Sequence, residues 1–145
     1  MSSKIFMCLI LSFVLCRSSY AELQKFDNVS VNVPNGWSAE QKEQTILLKS
    51  DSSKASMEIF FGKINEGVFS DIVEKLYIER EGVDLEQDDD GDYSFNFKNN
   101  LGSESIALMT GTDDYYLLIS MTGFEDETVQ PDLESILESI DWDEK

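Results

Sequence analysis

Histidine is absent from this sequence, and cysteine occurs only at Cys8 and Cys16. Proline appears twice, at Pro34 and Pro131. Basic residues are scarce: 11 Lys and Arg stand against 29 Asp and Glu, a net charge of −18. Each scarcity removes a class of chemistry. Without imidazole there is no histidine-based triad, and without clustered Cys and His there is no zinc site of the usual donor set. Strongly negative charge disfavours nucleic acid and anionic head groups, and tolerates basic protein surfaces and divalent cations. Patterns of the GxSxG, P-loop and GxGxxG kind are missing as well.

Long apolar runs are missing too. The longest, Ile5 to Leu15 (IFMCLILSFVL), is shorter than the ~18 residues that usually span a bilayer. It follows a short, positively charged start, Met1 to Lys4, and precedes Ser19-Tyr20-Ala21, with small residues where a signal peptidase reads. This is the pattern of a secretory signal peptide over residues 1–21, cleaved after Ala21. A lipid-modified Cys16 fits less well, since Leu15 stands where a lipobox has a small residue. Removal of residues 1–21 takes both cysteines, Lys4, Arg17 and no acid, so the remainder is still more acidic. Residues 22–145 suit a single exported domain, periplasmic or secreted, held by packing alone and with no integral span.

What is present is strand pattern. Asp92 to Gly123 reads as three strands, DYSFNFK, SIALMT and YYLLISMT, joined by NNLGS and GTDD. Tyr93, Phe95 and Phe97 alternate with Ser94, Asn96 and Lys98, which predicts one buried aromatic face. Tyr115, Leu117, Ile119 and Met121 share one face of the last strand, and Tyr116 and Leu118 make the other apolar too. A strand apolar on both sides is covered on both sides, which predicts a central position for Tyr115 to Thr122.

The remaining elements follow the same logic. Phe26 to Val33 reads as a first strand, stopped by Pro34-Asn35-Gly36, with Trp37 as a plug closing one end of the core. Ser38 to Gln44 reads as a polar connection. Thr45 to Lys49 and Ala55 to Lys63 read as strands, the latter with Met57, Ile59 and Phe61 on one face and Phe60 on the other. Ser70 offers an N-cap for a helix to about Glu81, with Ile72, Val73, Leu76 and Tyr77 as its stripe and Gly82 as its stop. Val83 to Glu86 suits a short edge strand. Pro131 opens a second helix with Leu133, Ile136, Leu137 and Ile140 on one side. The expected fold class is α+β: a single, mostly antiparallel sheet of about six or seven strands with helices on its faces, an α/β/α sandwich.

Two places invite a functional reading. Glu86, Asp88, Asp90 and Asp92 surround a tight acidic turn, and hard cations take several carboxylate oxygens there. The spacing begins like an EF-hand loop, but its twelfth position is Phe97 and a strand stands where the second helix would be. Otherwise these charges guard a hairpin turn against edge pairing. The second place is a ligand groove beside Phe60, Tyr116 and Leu118, if helices leave that face of the sheet partly open. A carboxylate-based hydrolase would need two acids converging in a cleft, one with a raised pKa; twenty-nine acids make chance pairs inevitable, so their number points to nothing.

The order of elements, with Val33-Pro34-Asn35-Gly36-Trp37 near the start, YSFNF and YYLLISMTG in the middle and Ile136-Leu137-Glu138-Ser139-Ile140 near the end, resembles the PsbP-like α/β/α sandwich superfamily. Within it, the chain is most similar to small exported bacterial proteins of the DcrB-like kind. That superfamily includes an extrinsic photosystem subunit, a nuclear-import factor that binds a small GTPase, envelope proteins linked to phage infection, and chaperones for membrane segments of secreted effectors. The resemblance implies a non-catalytic binding or accessory protein of a bacterial envelope, working through a protein partner without a cofactor, and carries over no catalytic residue. The alternatives are a weak calcium-binding module on Glu86, Asp88, Asp90 and Asp92, and the hydrolase.

Overall fold

The structure is a computed structural model and describes residues 22–143. The expected signal segment, its expected cleavage point after Ala21 and Cys16 lie outside the described residues. Among the described residues there are ten strands and two helices, and no helix is long and apolar enough to cross a membrane.

Seven strands form the large sheet: β3 (Trp37–Lys42), β4 (Thr45–Ser50), β5 (Ser56–Lys63), β6 (Val83–Gln87), β7 (Tyr93–Lys98), β8 (Glu104–Gly111) and β9 (Tyr115–Thr122). Their order is β3-β4-β5-β9-β8-β7-β6, antiparallel throughout. β9 is therefore the middle strand, and Leu117 and Leu118, on its opposite faces, are both buried. Three strands, β1 (Glu22–Phe26), β2 (Val29–Val33) and β10 (Asp141–Trp142), make a second antiparallel sheet in the order β1-β2-β10.

The two faces of the large sheet carry separate cores. On one, Met57, Ile59, Leu117, Ile119 and Met121 pack with Val29, Val31 and Val33 of β2, with Trp142, and with Leu133, Ile136 and Leu137 of α2 (Gln130–Ser139). On the other, Phe95, Phe97, Ala107, Met109 and Leu118 pack with Val73 of α1 (Phe69–Glu79), along with Phe69, Ile72, Leu76 and Tyr77. The stripes predicted for both helices and the split of Phe60 from Phe61 are as observed.

The single sheet expected from the sequence is two sheets, and the protein is mainly β. The physical reason lies at Asp27 and Asn28. They form a two-residue hairpin loop, with Phe26 paired to Val29 and Asp27 at φ 51, so residues 26–33 are two strands. The valine face of β2 then lies on the large sheet instead of extending it. Residues 38–44, expected as a connection, instead run in β3 and turn through Glu43 (φ 59) and Gln44 into β4.

Both ends of α1 are shifted from expectation. Val68, not Ser70, is its N-cap, and Asp71 Oδ2 accepts the Val68 N–H at 2.9 Å. At the other end Glu81 N–H donates to Ile78 O and Gly82 N–H to Tyr77 O, a Schellman arrangement in which Glu81 (φ 54) takes the left-handed position. Gly82 is needed for space: a Cβ there would come within 2.6 Å of Tyr77 and 2.7 Å of Phe95.

Candidate functional site

The acidic turn is built as a turn first. Asp88 N–H donates to Asp92 O at 2.9 Å, and Gly91 N–H to Asp88 O at 3.1 Å. Asp88 Oδ1 accepts the N–H groups of both Asp90 and Asp92 at 2.9 Å each. That oxygen closes the loop, as aspartate commonly does. Asp92 is buried immediately before β7; burial raises its pKa, the Thr110 hydroxyl bonded to it lowers it, and the charges of Asp88 and Asp90 push it up again. Glu86 sits on β6, exposed, in register with Ser94. Among the described residues no group of three or more acids converges as a metal cage would require.

The place proposed for a groove is filled. Leu118 is in the core under α1, and Phe60 and Tyr116 are half-buried at the margin, ring centroids 5.8 Å apart. Both rings cover Gly62, where a Cβ would meet Tyr116 at 2.6 Å and Phe60 at 2.7 Å. Burial pushes the Tyr116 phenol up, against the opposing charge of Arg80.

An open cleft of about 520 Å3 lies on the opposite face, where the two sheets part. Two hairpin tips flank it: the β1–β2 turn supplies Asp27 and Asn28, and the β3–β4 hairpin supplies Gln41 and Gln44. Phe26, Phe61 and Tyr115 give it aromatic surface, Val29 and Ile46 aliphatic surface, and Lys63 the single ammonium. Phe61 is held between two partners, stacked on Tyr115 at 5.3 Å and edge-to-face with Trp142 at 5.6 Å. Gln41 Nε2 donates to Asp27 Oδ2 at 2.8 Å and to Glu43 O at 3.0 Å, which ties one hairpin tip to the other. The buried indole N–H of Trp142 has no acceptor among the described residues.

Sequence reasoning missed this cleft because its lining comes from positions 26 to 115, brought together only by the second sheet. The one local signal was Asp27-Asn28, two residues of turn-forming type inside what reads as one strand.

Known proteins bear on the fold alone. No family model matches the chain, and no curated protein matches it. A protein from Bacteroides thetaiotaomicron VPI-5482, solved by crystallography at 1.50 Å, is similar in structure, with a TM-score of 0.51 and 16% sequence identity. The similarity covers 81% of this chain and 46% of that one, so this chain spans less than half of its neighbour's length.

Proposed function

We propose that this is a non-catalytic binding or accessory protein of a bacterial envelope, exported by its N-terminal segment to the periplasm or beyond, with PsbP-like and DcrB-like kinship, acting through contact with another protein. The observation that carries the reading is that the large sheet extends past its cover. On the face that α2 and the small sheet cover, Ser94, Asn96, Ile106 and Leu108 of β7 and β8 stay half-buried. Val83, in register with Asn96 on the free edge strand β6, is 54% exposed. An apolar margin of this kind, with Glu86 beside it in register with Ser94, suits a protein partner that brings its own apolar and basic groups.

The rival readings draw less support. The cleft holds one carboxylate, Asp27, and the buried acid Asp92 is not among its lining residues, so the pair a hydrolase needs is not in it. In the turn of Asp88 to Asp92 one carboxylate oxygen, Asp88 Oδ1, is taken up by the turn's own amides, and among the described residues no three acids converge on one point.

Cross-linking in intact cells followed by capture tests the proposal. A partner protein is expected with the native chain and lost with Val83→Glu or Ile106→Glu. Capture of no specific protein, or undiminished capture by both variants, rules it out.

A further inference from the structure

We propose that the cleft between the hairpin tips is a binding site for a neutral saccharide. Three aromatic rings, Phe26, Phe61 and Tyr115, line it together with three carboxamides, Asn28, Gln41 and Gln44. Carboxamides both donate and accept, which matches sugar hydroxyls, while the C–H face of a pyranose ring lies well against an aromatic surface.

Charge narrows the class of ligand. The lining holds one carboxylate, Asp27, and one ammonium, Lys63, and has no net charge of its own. An anionic ligand would face a chain of net charge −18 with a single cation to receive it. An acyl chain would have to cross a rim of Asp27, Asn28, Gln41 and Gln44 and displace water from its polar groups with nothing to offer them in return. A volume of about 520 Å3 is within the range of small-ligand pockets.

The site is also built before any ligand arrives. Stacking against Tyr115 and the edge contact with Trp142 fix the Phe61 ring. The Gln41–Asp27 bond fixes the mouth. Gln41 Nε2 gives its hydrogens to Asp27 and Glu43, so Gln41 Oε1 keeps its capacity to accept. A fixed aromatic floor and an ordered polar rim reduce the entropy lost on binding.

The test is titration of the 15N-labelled protein, followed by amide NMR, with four neutral probes: cellotetraose, maltotetraose, mannotetraose and chitotetraose. At least one is expected to give saturable shifts at residues 26–29, 41–46, 61–63 and 115. Gln41→Ala, at an exposed position, is expected to weaken that binding about tenfold. Phe61→Leu, which keeps apolar volume but removes the ring, is expected to abolish it. No saturable shift with any probe overturns the proposal, as does a map elsewhere on the surface or equal affinity in both variants. Dextran sulfate and a lysine-rich tetrapeptide are run beside them; stronger shifts of the same amides by either mark a charged-ligand site and also overturn it. Val83→Glu is expected to bind the saccharide like the native chain, so failure of partner capture and failure of this site are told apart.

Discussion

Trp37 Nε1–H donates to Asp132 Oδ2 at 3.1 Å, joining the first residue of β3 to the first turn of α2. Trp37 is thus a plug with a polar tie, and it links the large sheet to the helix that covers it. Asp132→Ala should cost about 1–2 kcal/mol, from the orphaned indole N–H and the lost charge at a helix N-terminus. Asp132→Asn keeps an acceptor and should cost less. Urea unfolding of Trp37→Phe, Asp132→Ala and the double variant should give a coupling of about 1 kcal/mol. Additive losses would show that the bond contributes nothing.

Gly62 is the second expected point of sensitivity. Its φ lies in the ordinary region, so the constraint is space alone: the rings of Tyr116 and Phe60 occupy the volume of a Cβ. Gly62→Ala should destabilise by about 1–3 kcal/mol through overpacking. In the background of Tyr116→Leu the same change should cost clearly less. Equal cost in both backgrounds would place the strain elsewhere.

These two sites also mark how far the sequence could be read. The middle of the sheet was legible because Leu117 and Leu118 cannot both face water, and burial of both fixes the place of β9. The edges were not. β3 turns only Trp37 and Ala39 toward the core and meets water with Ser38, Glu40, Gln41 and Lys42, so its membership rests on backbone pairing with β4, which leaves no mark on side-chain pattern. β2 was legible as a strand, yet the alternation of Val29, Val31 and Val33 is the same whether it extends one sheet or lies across it. The cleft depends on that choice. The groove assigned to Phe60, Tyr116 and Leu118 depended instead on how much α1 covers, which no local pattern encodes.

Asp92 should make stability depend on pH in an identifiable direction. Burial raises its folded-state pKa above the ordinary 3.8, so the folded chain binds a proton before the unfolded chain as pH falls. The buried charge is therefore a cost at neutral pH, and that cost is relieved between the raised value and 3.8. Asp92→Asn keeps an oxygen for the Thr110 hydroxyl and removes the charge. It should be more stable than the native chain at neutral pH, with an advantage that shrinks toward 3.8. The Thr128 hydroxyl and N–H hold Asp126 below its ordinary value, which gives the opposite pH trend, but this group is common to both proteins and drops out of the difference. A difference independent of pH would mean that Asp92 is not the titrating group.

α2 carries Asp132, Glu134 and Glu138, with no basic residue in its last turn. Glu134 and Glu138 are one turn apart, and Glu138 has a raised pKa, from partial burial and then from the charge of Glu134. Two unfavourable effects coincide there: like charges at i and i+4, and a negative charge beside the carbonyl end of the helix dipole. Glu138→Lys reverses both and gives a Glu-to-Lys pair in the favourable order. The exposed position allows the longer side chain, and the gain should be about 0.5 kcal/mol, seen as a higher unfolding midpoint. Because the origin is charge, molar sodium chloride should remove most of it. A gain that survives high salt would have to come from the intrinsic helix preference of lysine, and a loss would mean that the Glu138 carboxylate holds a contact its exposure conceals.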